Sequence, residues 1–467
     1  MKFITTFFYL LIFTFTLFAQ KTDEVLATAN GQKFTSKDLT PIVSETFENL
    51  PKTIAETRKA LLEQQISDIL LETEVNARKL TIEKLIETDV TNKVPAPTDK
   101  EIQTIYDANR AEIGSKTLAA VRPQIVAFLK REAEEKALPE YLSNLKVKYK
   151  VALGRDVNAP NLKPFDTLAM VNGKPILVEN FEAKIKVRLY DIEVNIYDRV
   201  RESLEQAVYS ALVSAEAKSQ NIEASDLIAR EITDKMREFS DEERGQLENA
   251  LRDRLFKKYN AKFLLKEPAP IVQNVSTDNQ PFQGKQNAPV TVVMFTDFQC
   301  PACSAVHPVL KKVLAEYGDK IRFVVRDFPL TNIHENAFRA ALAANAANAQ
   351  GKFFEYADLL YKNQTALDVA SLKKYAADLG LNQKQFDLDL TSEKFAADVR
   401  KDLADGKIYG ITGTPTIYVN GVKVRTLSAE SFRNAVEKAL KKVVRSQKSE
   451  SSIIGFSTGY WLLTTDY

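Results

Sequence analysis

This chain of 467 residues has almost no cysteine: the only two are Cys300 and Cys303. With no third thiol, the pair cannot be half of a larger disulfide framework. Histidine is equally scarce, so His307 and His334 would both have to join the cysteines before a four-ligand zinc site could close. An excess of one charge is missing too. The 64 basic and 62 acidic residues leave a net charge of +2, which gives no electrostatic grip on nucleic acid or acidic lipid. Beyond Phe18 no apolar run is long enough to span a membrane. Ile453 to Leu463 is apolar but short, follows a Ser/Lys-rich stretch, and holds the one tryptophan, Trp461. Residues 446–467 therefore read as a loosely ordered tail.

One long apolar run does occur, at the start. Lys2 precedes Phe3 to Phe18, followed by Ala19 and polar Gln20-Lys21-Thr22-Asp23. A basic start, an apolar centre and a small residue before a polar stretch predict a secretory signal peptide over 1–19. An uncleaved anchor is the alternative reading. No cysteine follows the run, so a lipid-anchored form is excluded. Either way the body is expected outside the cytoplasm, in a periplasm, where disulfides persist.

The chain is too long for one core. Its first part repeats at a constant offset of 142: Asn30-Gly31 matches Asn172-Gly173, Leu62-Glu63-Gln64 matches Leu204-Glu205-Gln206, and Leu70, Glu74 and Leu85-Ile86 match Leu212, Glu216 and Leu227-Ile228. Such a match predicts a duplicated, mainly α-helical module over 20–155 and 160–270. Each copy opens on a hairpin whose Asn-Gly pair tolerates positive φ. A long amphipathic helix follows, marked by Leu62, Ile66 and Leu70 in the first copy and by Val200, Leu204, Val208, Leu212 and Ala215 in the second. Residues 271–288 are polar and turn-rich and read as a linker, with part able to form an edge strand.

From Pro289 to about Arg445 the pattern becomes strand, helix, strand, helices, strand, strand, helix. The strands are 290–298, 321–328, 416–420 and 422–427. Asn420-Gly421 marks a hairpin, Asn332 to about Asp405 is a helical insertion, and Ser428 is the cap of the last helix. The two cysteines stand as Cys300-Pro301-Ala302-Cys303 just after the first of these strands. If a helix begins at Cys300, the two α-carbons lie roughly 5 Å apart, inside the span of about 4.4–6.8 Å that a disulfide needs. A redox dithiol fits this spacing. Cys300 would then sit at the helix tip, where free N–H groups and the dipole favour a thiolate.

In its motifs the domain over 289–445 resembles the DsbA-like thiol–disulfide oxidoreductases of the thioredoxin superfamily. The motifs are Phe295-Thr-Asp-Phe-Gln-Cys-Pro-Ala-Cys303 with His307-Pro308, Arg326-Asp-Phe-Pro-Leu330 with His334, Gln350-Gly-Lys-Phe-Phe-Glu355, and Gly413-Thr-Pro-Thr416. The resemblance implies an α/β thioredoxin fold with a helical insertion and no cofactor or metal. It makes Cys300 the exposed nucleophile, Cys303 the buried resolving thiol, and Pro415 a cis-proline that presents the Thr414 backbone to a substrate strand. Pro301, Ala302 and His307 would tune the thiols, although a packed helix histidine is an equal reading of His307. Two departures stand out. The middle dipeptide lacks the histidine of the most oxidising members, so a weaker thiolate should follow. The position six before Cys300, where several members carry a buried acid, is Met294, and Asp297 is expected to face elsewhere.

The duplicated module resembles the N-terminal chaperone region of SurA-like periplasmic proteins, without their parvulin domain. That resemblance implies a concave surface for unfolded chains; a spacer or dimerisation arm is the plainer reading. The whole chain is thus expected to be an extracytoplasmic enzyme that exchanges disulfides with secreted protein clients, oxidase before isomerase or reductase. A membrane redox partner would reset the dithiol, and a homodimer is possible. The alternatives are a periplasmic chaperone or assembly factor with a secondary redox role, or a dedicated reductase or isomerase.

Overall fold

The computed structural model describes residues 24–457, with side chains to 445. The expected leader over 1–19 and the tail beyond Ser457 lie outside the described residues. The chain divides into two units, Met1–Pro268 and Ala269–Tyr467.

In the first unit, β1 (Ala27–Ala29) and β2 (Gln32–Phe34) form a hairpin and lead into α1 (Pro41–Glu48), α2 (Leu50–Arg78) and α3 (Ile82–Asp89). Then come α4 (Asp99–Ala108), α5 (Arg110–Ile113), α6 (Leu118–Lys148) and the short β3 (Ala152–Leu153). A second hairpin, β4 (Thr167–Val171) and β5 (Lys174–Leu177), opens the later half: α7 (Val178–Ser219), α8 (Ala224–Glu231), α9 (Asp241–Lys258) and β6 (Lys262–Phe263). Both hairpins turn on Asn-Gly with both residues at positive φ: 50° and 74° at Asn30-Gly31, 49° and 75° at Asn172-Gly173.

The hairpins are exchanged between the halves. β1 pairs with β6 at the end of the later half, and β4 pairs with β3 at the end of the earlier one. Leu26, Ala27 and Phe34 pack with Val200, Leu204, Val208 and Leu212 in one core. Leu168, Val171 and Ile176 pack with Leu62, Ile66, Leu70 and Leu145 in another. Ala215 stays half-buried, and Val213 and Ala217 fill its expected place. A buried carboxylate recurs in each half. Glu74 accepts from Lys148 Nζ at 2.5 Å and Tyr149 Oη at 2.8 Å, and Glu216 accepts from Lys258 Nζ and Tyr259 Oη at the same distances. The glutamate and tyrosine are 75 residues apart in the first half and 43 in the second. Most of the difference is the α4–α6 segment, which carries a small core of its own around Ile102, Tyr106, Val121 and Ile125. Pro51 ends the continuity between α1 and α2, whereas the matching position in α7 is Glu193 and that helix runs unbroken for 42 residues.

The second unit is built on a five-stranded sheet in the order β11-β10-β8-β9-β7. Its elements are β7 (Phe282–Gly284), β8 (Val290–Thr296), α10 (Pro301–Ala315), β9 (Ile321–Asp327), the inserted helices α11 (Ala337–Asn348), α12 (Phe353–Lys362), α13 (Val369–Asp378), α14 (Gln383–Leu390) and α15 (Glu393–Ile408), then β10 (Thr416–Val419), β11 (Val422–Lys423) and α16 (Ala429–Ser457). β8 and β9 are parallel, and β10 runs antiparallel to β8. Val292 and Met294 enter one core with α10, while Val293 and Phe295 enter another on the opposite face. Burial on both faces explains the unbroken apolar run in β8.

Three boundaries differ from expectation. Residues 271–288 are part of this unit, not a linker: β7 pairs with β9, Val272 bridges Val422, and Gln273 N donates to Gly421 O at 2.8 Å. β11 is two residues long, not six, because the chain turns away toward the Ser428 cap, whose Oγ accepts from Ser431 N at 3.2 Å. The last helix runs on to Ser457, through residues expected in a loose tail.

Candidate functional site

β8 ends at Thr296, and Asp297-Phe298-Gln299 turn the chain into α10. Cys300 is the cap residue of that helix, with extended backbone (φ −74°, ψ 120°), and Pro301 is its first helical residue. Proline suits that place because the N–H it lacks would have had no helical partner. Cys300 N donates back to Asp297 O at 3.1 Å. The helix thereby aims free N–H groups at the Cys300 sulfur.

The two thiols are unbonded and differ sharply in character. The Cys303 thiol donates to the Cys300 sulfur, as do the Cys303 and Ala302 backbone N–H groups, and together they lower the Cys300 pKa to about 5 against the opposing effect of burial. Burial, and the bond it gives to Cys300, push the Cys303 thiol far up. Cys303 is fully buried, while Cys300 keeps 7% of its exposure, less than the open nucleophile expected from the sequence. The Gly413–Thr416 loop accounts for the cover: Thr414 O lies 3.5 Å from Cys300 Sγ, and Thr414–Pro415 is a cis peptide bond. Pro301, Ala302, Thr414 and Pro415 therefore gather around the dithiol as a group.

His307 does not join them. Its ring lies 4.7 Å from that of Tyr361 and 3.7 Å from the Asp358 carboxylate, with no hydrogen bond to either sulfur among the described residues. Burial holds its pKa below the usual value. Helical spacing put His307 on the same side as Cys303, but its ring packs on Tyr361 of α12. The structure thus gives its expected tuning role no direct contact. His334 is placed differently: its Nδ1 is 2.7 Å from Asp297 Oδ2, which also accepts from Leu330 N at 2.9 Å. Asp297, expected to face elsewhere, is fully buried and ties the dithiol turn to the Phe328–His334 loop.

Sequence reasoning missed Gln364. Its Nε2 donates to Phe298 O at 3.0 Å and Cys300 O at 2.8 Å, so the insertion clamps the turn that carries the nucleophile. A lone glutamine between two helices carries no periodic or motif signal.

Residues 276–438 match the model of the thioredoxin family. Among curated proteins, a Na(+)/H(+) antiporter NhaA 1 of Mycolicibacterium vanbaalenii is 36% identical over 165 residues, covering 34% of this chain and 27% of that protein. An antiporter NhaA 3 of Salinispora tropica is 39% identical over 147 residues, 32% of this chain and 22% of that one. The chain spans about a quarter of the length of these relatives. Among the described residues no helix is long and apolar enough to cross a membrane. Among solved structures, a thioredoxin-like oxidoreductase from Silicibacter pomeroyi is 26% identical, with a TM-score of 0.33, covering 35% of this chain and 94% of that one. Oxidised BdbD from Bacillus subtilis is 26% identical, with a TM-score of 0.33, covering 37% and 100%. The alpha-DsbA1 of Wolbachia pipientis is 21% identical, with a TM-score of 0.34, covering 37% and 97%. The family match falls wholly within the second unit, and that unit is a thioredoxin-like α/β domain.

Proposed function

We propose that this chain is a thiol–disulfide oxidoreductase for cysteines of protein clients. One arrangement carries the reading: Cys300 at the tip of α10, slightly accessible and with its pKa lowered, beside a fully buried Cys303. In the oxidising direction a client thiolate attacks Cys300 Sγ of the closed Cys300–Cys303 disulfide. The bond between the two cysteines breaks, its electron pair passes to Cys303, and that sulfur takes up a proton. A second client thiolate then attacks the client sulfur of the mixed disulfide, and Cys300 leaves as the thiolate the helix tip stabilises. The client gains a disulfide, and the enzyme is left as a dithiol that a membrane redox partner must oxidise again. A pKa of about 5 makes Cys300 a good leaving group at neutral pH, which favours oxidase over isomerase or reductase.

The proposal places the protein in a periplasm, with the first unit holding unfolded clients in the manner of SurA-like chaperones. Replacing Cys303 with serine tests the enzymatic reading. The lone Cys300 thiolate should attack client disulfides and stall as mixed disulfides, visible as reducible high-mass adducts on a non-reducing gel. A Cys303→Ser protein that forms no adducts with disulfide-bearing clients would contradict it.

A further inference from the structure

The Cys300 sulfur gains from α10 only while the helix tip points at it. Pro301 has no N–H, and Ser304 N makes the first bond of the helix, to Cys300 O at 3.2 Å. The Ala302 and Cys303 N–H groups therefore have no helical acceptor and are left for the sulfur. Which way they face depends on one torsion. The sulfur hangs from the Cys300 α-carbon, whereas the helix follows the Cys300 carbonyl, so the ψ angle of this cap residue sets the sulfur against the N–H groups. The carbonyl direction is the same quantity seen from outside.

The Ser304 bond alone is a weak hold on that carbonyl, since 3.2 Å is at the long end for N–H to oxygen. The shorter of its two bonds comes from outside the helix, from Gln364 Nε2 at 2.8 Å. The same nitrogen donates to Phe298 O at 3.0 Å, so one amide grips the chain on both sides of Cys300. Both partners are carbonyl oxygens, and only the NH2 end of a glutamine satisfies two of them. The amide itself is delivered by a docked helix. Just before Gln364, Tyr361 O accepts from Ser304 Oγ at 2.9 Å, and Asp358 Oδ2 pairs with Lys311 Nζ at 2.7 Å, so α12 is tied along α10.

We infer that Gln364 is a positioning residue for disulfide exchange: it fixes the Cys300 carbonyl so that the sulfur stays before the Ala302 and Cys303 N–H groups. The inference rests on the oxidoreductase reading. Gln364 bonds to backbone and takes no part in making or breaking a sulfur bond. Its influence falls on the reduced form, because only there does Cys300 carry a charge for the N–H groups to hold. Without the amide the cap residue can turn, the thiolate loses part of its support, and Cys300 becomes a poorer leaving group. The protein then holds its own disulfide more tightly and donates it less readily.

Gln364→Met keeps length and bulk and removes the donor. Iodoacetamide labelling of the reduced full-length chain across pH reads the Cys300 midpoint, expected near 5 in the wild-type protein. In Gln364→Met the midpoint should rise by about half to one pH unit, which lowers Cys300 labelling at pH 5 roughly two- to fivefold. In glutathione redox buffers at pH 7, the same variant should shift its equilibrium about three- to tenfold toward the closed disulfide. Gln364→Asn keeps the amide but falls one methylene short of the two carbonyls; it should shift both readouts the same way, and serves if the methionine variant does not fold. Asn363→Ala is the control: Asn363 Nδ2 donates to Leu359 O of its own helix at 2.8 Å, so its loss loosens that helix end without touching the turn. Both readouts should stay at wild-type values there, and Cys303 should stay unlabelled in every variant.

A low wild-type midpoint that Gln364→Met and Gln364→Asn leave unchanged overturns the inference alone, as does an equal shift in Asn363→Ala. A wild-type protein that exchanges no disulfide with glutathione overturns the oxidoreductase reading and the inference together.

Discussion

Cys300→Ser should lower disulfide exchange with a cysteine-bearing peptide by about 10³-fold or more, down to the uncatalysed background. The hydroxyl that replaces the thiol cannot form the mixed disulfide, and no second nucleophile is available. Cys303 is fully buried and its thiol is held protonated, so it cannot take over. Suppression of client aggregation, proposed above for the first unit, should persist in the same variant. A Cys300→Ser protein that still exchanged disulfides would move the chemistry elsewhere in the chain, and loss of aggregation suppression would tie the client site to the dithiol.

A comparably large effect, on stability, is expected from Asp402→Ala. The Arg326 side chain has no exposed surface, and it donates to Asp402 Oδ1 from Nε at 3.0 Å and Nη2 at 2.5 Å. The same carboxylate accepts from Gln280 Nε2 at 2.8 Å and from Asp327 N at 3.0 Å. Arg326 also reaches Asp405 Oδ2 at 2.6 Å and Ser276 O at 3.2 Å. Asp402 thus joins α15 to β9 and to the lead-in strand segment. Its removal leaves a buried guanidinium underpaired and a buried N–H without an acceptor. Breaking one side of such a pair costs about 3–5 kcal/mol. Alkylation of Cys303 in rising urea reads the opening of the second unit, because that thiol is buried until the unit unfolds. The alanine variant should expose Cys303 at much lower urea, with Asp402→Asn in between; an unchanged midpoint would show that the cluster is not holding the unit together.

These charges also show where sequence reading stops. The β8 strand, the helix tip at Cys300, the insertion after β9 and the Ser428 cap were legible because each leaves a local mark: an apolar run, a Cys-Pro-Ala-Cys spacing, helical periodicity, a capping serine. Arg326 and Asp327 leave the opposite mark, since two adjacent charges at a strand end read as surface. Their burial depends on α15, whose Asp402 lies 76 residues from Arg326. Asp297 was expected to face elsewhere, but its carboxylate is buried because Leu330 N and His334 of a later loop hold it. Residues 271–288 were read as a linker because an edge strand pairs on one side only and keeps polar residues. The exchange of hairpins in the first unit was illegible for a similar reason: β1 meets β6 across more than two hundred residues, and repeated periodicity says which faces are apolar without saying which copy they cover.

Alkylation of the reduced wild-type protein with iodoacetamide across pH 4 to 9, with each cysteine peptide weighed separately, goes straight to the sulfur chemistry. The depressed pKa of Cys300 predicts that its reactivity is half-maximal near pH 5 and level above about pH 6, while Cys303 stays unmodified throughout. A Cys300 midpoint near the ordinary thiol value of about 8.5, or labelling of Cys303 first, would contradict it.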